Sequence, residues 1–317
     1  MKYNGVALEM TTICPLHCDH CCQDNGEEAV AYINEQEISD VLTKISQDKK
    51  IQYVSFTGGE PFLELKKLYY AIDIARNSGL HISTVTSGFW AVDDEKTKNI
   101  MKTLHEKKLD VMTISRDMFH RKEVPDDNVK RILKWGNVFD LEIALQISTV
   151  QETDFGEILN PIRNEILNRK VEIYPVFYAG RAKRNINKEM LINNETSRHQ
   201  FCGKGGACLI GRNGEVYPCC SPLGKETCFN LGNIRKYSML EIRDRIQRNS
   251  ILHILRNFGF DPFVDLAKEK LDLYIPEKIV SSCDLCAIFF NERNILSFYA
   301  NIDWMKERIE KGIYNHD

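Results

Sequence analysis

The sequence predicts a parallel α/β domain followed by a smaller second domain. Up to about residue 180, short apolar and β-branched runs alternate with stretches of helical periodicity, a pattern typical of strands joined by crossover helices. After Arg184 this alternation stops, and cysteines become frequent further on. We therefore expect one domain over residues 1–185 and a second over residues 186–317, and the 317-residue length is ample for both cores.

Six runs of the first domain are expected to form strands. Between the second and third runs, an apolar stripe with i, i+3, i+4, i+7 spacing begins at Leu65, and Gly79 is placed to end that helix. Asp93 is a suitable N-cap for the next helix. The pattern alone allows either an open doubly wound sheet or a partial barrel. The predicted strands are Gly5–Thr11, Ile51–Phe56, His81–Thr86, Leu109–Ser115, Leu141–Val150 and Val171–Phe177.

The second domain begins with polar, irregular sequence over residues 186–199, which we interpret as a linker. A β-hairpin is expected around Asn213-Gly214, because this dipeptide tolerates the positive φ angles of a type I′ turn. Helices are predicted over Met239–Arg248 and Phe263–Lys270.

The overall composition excludes several classes of protein. Lys plus Arg number 42 and Asp plus Glu 45, for a formal net charge of −3, so there is no basic excess for nucleic-acid binding. No apolar run approaches the ~20 residues that a membrane-spanning helix needs. The N-terminal residues lack the charged and then apolar build of a signal peptide. We expect a cytoplasmic protein without a nucleic-acid or membrane partner.

The eleven cysteines are the unusual feature of the composition. In a chain without an export signal, they favour metal binding or redox chemistry over a disulfide framework. They fall into two groups separated by a long cysteine-free segment, which indicates two sites. The groups are Cys14, Cys18, Cys21 and Cys22, and then Cys202, Cys208, Cys219, Cys220, Cys228, Cys283 and Cys286.

The first group follows the first strand, and active sites of parallel α/β folds lie at this end of the strands. Cys14, Cys18 and Cys21 have Cys-x3-Cys-x2-Cys spacing, and three thiolates can hold three irons of a cubane cluster, leaving the fourth for a substrate or cofactor. A zinc site that borrows a ligand such as His17, His20 or Cys22 is the alternative.

The cysteine motif, together with Thr57-Gly58-Gly59-Glu60-Pro61 after the second strand, resembles the radical S-adenosylmethionine (SAM) superfamily. The resemblance implies a partial (β/α)6 TIM barrel. It also implies that Cys14, Cys18 and Cys21 hold a [4Fe–4S] cluster whose open iron binds the amino and carboxylate groups of SAM. Gly58, Gly59 and Glu60 are then expected to contact the methionine amino group.

The same resemblance suggests further contacts with SAM at the strand ends. His20 has the position next to the third cysteine that is expected to pack near the adenine, although an aromatic residue is more usual there. Arg181 is expected to face the SAM carboxylate. Ribose and carboxylate contacts are expected from Ser87, Ser115, Gln146 and Ser148.

The second cysteine group resembles the SPASM or twitch extensions of this superfamily, which carry auxiliary iron–sulfur clusters. The resemblance rests on Cys202 through Gly205, on 213–219 and on 231–234. Because few cysteines follow, we expect a small α+β, twitch-like domain with one auxiliary [4Fe–4S] cluster. Cys208 is a rival for the first ligand position, and a four-cysteine zinc knuckle is the alternative site. The expected cluster ligands are Cys202, Cys219, Cys283 and Cys286.

Cys220 stands directly after one of these expected ligands. Neighbouring side chains of a strand point to opposite faces, so Cys219 and Cys220 are not expected to share one cluster. From the residues alone, Cys220 is either a hydrogen-atom donor to a carbon radical or a small buried apolar residue.

Over nearly the whole chain, the sequence resembles the peptide epimerases that mature epipeptides. The matching segments are 18–22, 51–60, 88–90, 113–115, 214–222 and 281–283. This resemblance implies that L-residues, Val or Ile by analogy, of a ribosomally synthesised precursor peptide become D-residues, with Cys220 as the hydrogen-atom donor. It also implies an external one-electron reductant such as flavodoxin or ferredoxin. A radical SAM maturase that forms thioether or carbon–carbon crosslinks is the alternative, and a zinc-stabilised binding protein is a third.

Overall fold

The computed structural model describes residues 3–26, 32–196, 200–202 and 206–314. The chain forms two compact units. The first contains residues 4–192 and 210–213, and the second contains residues 1–3, 193–209 and 214–317. The sequence places the boundary slightly earlier, at residue 185.

The first unit is a parallel sheet of six strands, each followed by a helix. The strands are β1 Gly5–Thr11, β2 Tyr53–Gly58, β3 His81–Thr86, β4 Val111–Ser115, β5 Glu142–Thr149 and β6 Val171–Pro175. The helices are α1 Glu35–Gln47, α2 Leu65–Asn77, α3 Asp94–Glu106, α4 Asp126–Val138, α5 Phe155–Leu159 and α6 Ala182–Asn185.

The strand order decides between the two predicted architectures. The strands pair in chain order from β1 to β6, and all five pairings are parallel. A doubly wound sheet would reverse its strand order near the middle, whereas sequential order is that of a barrel. The parallel α/β prediction is confirmed, and the sequential order is that of a partial barrel.

The helix ends agree with the capping residues in the sequence. The Asp93 side chain accepts a hydrogen bond from the Lys96 amide and caps α3. Gly79 follows the end of α2 with φ +77°, a conformation that glycine adopts readily. Each of the four longer helices buries one stripe of its side chains, and β1 is buried along its whole length.

The second unit combines short strands with six helices among its described residues. The strands are β7 Asn194–Glu195, β8 Ala207–Ile210, β9 Val216–Tyr217 and β10 Lys278–Ile279, of which β7 and β10 pair antiparallel. The helices are α7 Met239–Arg248, α8 Ser250–Phe258, α9 Asp261–Glu269, α10 Ser282–Phe289, α11 Ile295–Ala300 and α12 Ile302–Glu310.

Two predictions for this part of the chain have different outcomes. Strands β8 and β9 are neighbours on either side of the Asn213-Gly214 turn, as expected, and Gly214 has φ +86°. The segment 186–199 is not the irregular linker that the sequence suggests, because it contains a 3-10 turn at Lys188–Met190 and strand β7. Its last residues, 197–199, lie outside the described part of the chain.

Phenylalanine side chains form the core that anchors α10. Phe289 and Phe290, at the end of this helix, are fully buried and contact one another, and both contact Phe298. Phe263 of α9 contacts Phe290 and also Phe298, which lies in α11. Burial of each such ring contributes roughly 1.5–3 kcal/mol, so the position of α10 is firmly set. Among the described residues, no helix has both the length and the apolar character that crossing a bilayer requires.

Candidate active site

Three of the predicted ligands lie together beyond the carboxyl end of β1. The Cys21 amide donates to the Cys18 carbonyl (3.1 Å), which closes a turn between these two cysteines. Burial, together with the nearby Glu60, Cys18 and Cys21, raises the pKa of the Cys14 thiol to about 12. The three sulfurs are therefore neighbours. Three gathered thiols are a donor set suited to an iron–sulfur cluster, whose positive charge reverses this resistance to ionisation.

Arg181 holds the loop that carries these cysteines. Its guanidinium donates to the Cys18 carbonyl (3.2 Å) and to the Asn25 carbonyl (2.7 Å), and its backbone amide donates to the Cys21 carbonyl (2.8 Å). The structure thus gives Arg181 a role in fixing the loop. Its contact with the SAM carboxylate stays a prediction.

Gly58 and Gly59 allow the ends of β1 and β2 to approach each other closely. The Gly59 amide donates to the Thr11 carbonyl, and the Glu60 amide donates to the Ile13 carbonyl. A Cβ at Gly58 would lie 2.2 Å from the Thr11 oxygen, and one at Gly59 would lie 2.0 Å from the Ile13 oxygen. Only glycine fits at either position, so these residues set the path of the chain into Cys14.

The substitution Gly59→Ala is expected to destabilise the first unit by about 1–3 kcal/mol and to lower the iron content of the purified protein, because Ile13 must move. Gly206→Ala is the matched control, since a Cβ there meets no atom of the described residues within 4 Å. Urea unfolding and iron analysis measure both effects. Equal behaviour of the two variants would contradict this account of the glycine motif.

The side chains of Glu60 and Ser87 form a buried hydrogen bond with each other. The Glu60 carboxylate is 1% exposed and accepts hydrogen bonds from the Ser87 amide and hydroxyl, the Thr86 hydroxyl and the Phe62 amide, at 2.7–3.1 Å. Burial raises the pKa of Glu60, and these hydrogen bonds oppose that shift. Four donors occupy the approximately four lone-pair positions of a carboxylate, so the Glu60 side chain joins β2 to β3.

His20 lies in a buried cluster that the sequence did not reveal. Its ring stacks on Phe119 with centroids 4.5 Å apart, and its Nε2 is 3.4 Å from the Asp117 carboxylate. Burial lowers the pKa of His20 to about 4. One ring face is thus taken by Phe119, and the expected packing against the SAM adenine stays a prediction.

Asp117 joins His20 to His120. Its carboxylate is 1% exposed and lies 2.9 Å from Nδ1 of His120. Burial disfavours the charged forms, but the Asp117–His120 contact outweighs it, so that the pKa of Asp117 is well below and that of His120 well above the usual range. The ligand atoms of Cys18, His20 and His120 all lie within 4.8 Å of one another.

The remaining predicted SAM contacts lie at neighbouring strand ends. Ser115 ends β4 opposite Gln146 of β5, and the Ser148 amide donates to Asp117 (3.3 Å). Arg116, which sequence reasoning missed, is 1% exposed and pairs with Asp126, while its Nε and Nη1 have no hydrogen-bond partner within the described ranges. The sequence does contain a signal for this residue, because Arg116 and Asp117 directly follow the apolar strand β4, and charged residues are rarely buried.

The second unit brings together the other four predicted ligands. Burial raises the pKa of Cys219 to about 12, with Cys202 and Cys283 adding to this effect. Burial also raises the pKa of Cys286, and Cys219, Cys202 and Cys283 contribute to this shift. Cys208, fully buried in β8, is not among the groups that shift Cys286. The four mutually close thiols are therefore Cys202, Cys219, Cys283 and Cys286.

Local structure fixes these thiols in place. Cys283 and Cys286 are three residues apart in the first turns of α10 and thus lie on one helix face. A capping box fixes the start of this helix, since Ser281 caps it and Asp284 accepts from the Ser281 amide. A Cβ at Gly224 would lie 2.9 Å from the Cys219 sulfur, so that glycine makes room for the thiol.

Cys220 differs from Cys219 in its environment, although not for the reason expected. The assumption that both lie on a strand is wrong, because β9 ends at Tyr217 and both cysteines follow it in non-strand backbone. Cys219 lies among the grouped thiols, whereas Cys220 is exposed. The charge of Cys220 still raises the pKa of Cys219, so the two sulfurs are close. None of the eleven cysteines, all in described residues, forms a disulfide.

Comparison with protein families identifies both domains. Residues 8–143 match the radical SAM superfamily, and residues 202–286 match the SPASM iron–sulfur cluster-binding domain. The chain therefore contains a radical SAM domain and, C-terminal to it, a SPASM domain. These domains imply SAM and a [4Fe–4S] cluster in the radical SAM domain, and auxiliary iron–sulfur clusters in the SPASM domain. They favour iron–sulfur clusters over the zinc sites that were the alternatives.

Individual relatives agree with this class. The putative peptide biosynthesis protein YydG of Bacillus subtilis is 29% identical over 308 residues, covering 94% of this chain and 96% of the relative. The PqqA peptide cyclase of Streptomyces rochei is 36% identical over 87 residues, 26% of this chain and 23% of the cyclase. The crystal structure of Streptococcus suis SuiB bound to S-adenosylmethionine superposes with a TM-score of 0.58 at 13% identity, over 80% of this chain and 68% of SuiB. BtrN, in complex with AdoMet and 2-DOIA, gives 0.50 at 13% identity, over 80% and 87% of the two chains.

Proposed function

We propose that the protein is a radical SAM peptide epimerase that converts L-residues, Val or Ile, of a ribosomally synthesised precursor peptide into D-residues. The similarity to a putative peptide biosynthesis protein over 94% of the chain supports a peptide as the substrate. The resemblance of the motifs around Cys18, Gly59 and Cys220 to epipeptide epimerases supports inversion as the reaction.

The observation that carries this proposal is the position of Cys220. It is an exposed thiol directly beside a group of four thiols suited to an auxiliary cluster. A fifth cysteine is not needed as a ligand of a four-cysteine cluster. An accessible S–H group next to a redox centre is instead what donation of a hydrogen atom requires, because the sulfur must afterwards be reduced.

The residues then have distinct tasks. Cys14, Cys18 and Cys21 would hold the cluster, which, with one electron from the external reductant and bound SAM, would supply the 5′-deoxyadenosyl radical that removes the α-hydrogen of the L-residue. Gly58, Gly59, Glu60 and Ser87 maintain the shape of the strand ends around those cysteines. The Cys220 S–H bond breaks as its hydrogen forms a C–H bond on the opposite face of the planar α-carbon. One electron from an external reductant such as flavodoxin or ferredoxin, together with one proton, restores the thiol.

The test is an anaerobic reaction with SAM, reductant and the candidate precursor peptide in ordinary water. The expected product has the mass of the starting peptide, and hydrolysis with chiral analysis finds D-Val or D-Ile. A product lighter by two hydrogens and without D-residues would contradict epimerisation.

A crosslinking maturase is the second candidate, and the 87-residue similarity to a peptide cyclase favours it. Such an enzyme oxidises the substrate radical and forms a thioether or a carbon–carbon bond, and a thiol donor at Cys220 has no part in that reaction. The loss of two hydrogens in the same assay identifies this outcome.

A further inference from the structure

A serine hydroxyl is buried beside the grouped thiols of the second unit. Ser221 follows Cys219 by two residues and is only 2% exposed. Its Oγ has no hydrogen-bond partner of normal geometry among the residues that the structure describes. A buried hydroxyl without a partner costs stability, and nearly all buried polar groups of proteins are paired. The Ser221 hydroxyl therefore points to a partner that is not a protein atom.

The hydroxyl is not used by the turn that Ser221 begins. Ser221 is the N-cap of a 3-10 turn at Pro222–Glu226, and its carbonyl accepts a hydrogen bond from the Gly224 amide (2.9 Å). A serine in this position usually caps the turn with its side chain as well, but the Ser221 side chain makes no such bond. The hydroxyl is therefore available for another acceptor.

The same turn contacts both parts of the thiol group. Gly224 lies against the Cys219 sulfur, since a Cβ at this glycine would be 2.9 Å from it. The turn also contacts α10, the helix that carries Cys283. Burial raises the pKa of the Cys283 thiol, and the side chain of Ser221 is close enough to oppose this rise. Sulfur is thus the acceptor that surrounds the Ser221 hydroxyl.

The chemistry of an iron–sulfur cluster gives the direction of a hydrogen bond at this place. Cysteine sulfurs that bind iron have lost their protons, so they can accept a hydrogen bond but cannot donate one. A serine hydroxyl next to them is then the donor. Hydrogen bonds to the sulfurs help to set the reduction potential of a cluster, because a donor stabilises the additional negative charge of the reduced form.

We propose that Ser221 donates a hydrogen bond to a sulfur of the auxiliary cluster held at Cys219 and Cys283, and that it thereby raises the reduction potential of this cluster. Ser221 is a tuning residue, since it acts through the cluster and not on the substrate. A higher potential makes the cluster easier to reduce by the external one-electron reductant. The proposal rests on the four grouped thiols as ligands of an auxiliary cluster and not on the fate of the peptide radical.

The test is a redox titration of the anaerobically prepared holoenzyme, followed by EPR without any peptide, for the wild type and Ser221→Ala. The signal of the auxiliary cluster is recognised because the addition of SAM does not change it. We expect Ser221→Ala to retain its iron and to shift the midpoint potential of this cluster to a more negative value.

Ser282→Ala is the matched control for this titration. It also removes a hydroxyl next to a grouped thiol, but the Ser282 hydroxyl donates to the Phe201 carbonyl (3.1 Å) and not to a sulfur. The midpoint potential of this variant is expected to equal that of the wild type.

A second readout follows the hydrogen bond itself. After exchange into D2O, pulsed EPR of the reduced auxiliary cluster detects deuterons that lie close to its sulfurs. We expect this deuterium signal to be weaker in Ser221→Ala than in the wild type and undiminished in Ser282→Ala.

An unshifted potential or an undiminished deuterium signal in Ser221→Ala would overturn the proposal, and so would an equal shift in Ser282→Ala. Loss of the auxiliary iron from Ser221→Ala would also overturn it, because the residue would then be needed to assemble the cluster and not to tune it. A wild type without a SAM-independent cluster signal would have the same consequence. Peptide inversion is not part of either readout, so failure here is distinct from failure of the proposed reaction.

Discussion

Replacing Cys220 by alanine is expected to abolish the formation of D-residues while SAM is still cleaved to 5′-deoxyadenosine. The cysteines proposed to hold the radical SAM cluster lie in the first unit, and Cys220 is not one of them. The α-carbon radical still forms, but it meets no thiol on the opposite face. Chiral analysis of the peptide and chromatography of 5′-deoxyadenosine in one sample measure both effects.

Cys228→Ala is the matched control for this prediction. Cys228 is an exposed thiol of the same unit, and burial is the main cause of its raised pKa, with Glu292 as the other contributor, so no cluster cysteine contributes. Inversion at the wild-type rate is expected. Normal inversion by Cys220→Ala, or loss of 5′-deoxyadenosine formation along with inversion, would remove Cys220 from the role of donor.

The second large effect is expected from Cys286→Ala, which should halve the iron content. Two [4Fe–4S] clusters contribute about eight irons per chain, and loss of the auxiliary cluster leaves about four. Cys286 is buried and close to Cys202, Cys219 and Cys283, so its replacement removes one of the four grouped sulfurs. Iron and sulfide analysis of the anaerobically reconstituted protein measures the change.

The matched control is Cys208→Ala, which removes a buried thiol of the same unit that is not grouped with Cys286. It is expected to keep about eight irons. If Cys208→Ala lost the auxiliary cluster and Cys202→Ala retained it, the ligand set would contain Cys208 instead of Cys202.

Periodicity and motif spacing were sufficient for the strand positions of the first unit, for its parallel α/β class and for the grouping of the cysteines. All six strands of the first unit are where alternating apolar runs placed them, and β1 and β3 agree in both end residues. Such patterns are readable because burial of one face imposes a fixed period on the sequence. Strand order is different, since the choice between a barrel and a doubly wound sheet depends on which strands pair.

The parts of the site that the sequence missed depend on tertiary contacts. Asp117 lies beside His20, and His120 lies within 4.8 Å of Cys18, although both come from a loop about a hundred residues away in sequence, and no local pattern marks such an approach. The role of Arg181 in holding the cysteine loop was also missed, because its partners are backbone carbonyls, which have no signature in the sequence. The different surroundings of Cys219 and Cys220 come from an irregular segment after β9 and not from strand alternation.

The origin of the hydrogen on the inverted carbon tests the central claim most directly. The wild-type reaction would be run in D2O, where the thiol proton of Cys220 exchanges with solvent, and the peptide would be analysed by mass spectrometry. We expect one deuterium on the α-carbon of each D-residue and none on the unmodified residues. D-residues without deuterium, or a peptide that has lost two hydrogens and gained no deuterium, would contradict the thiol-donor epimerase.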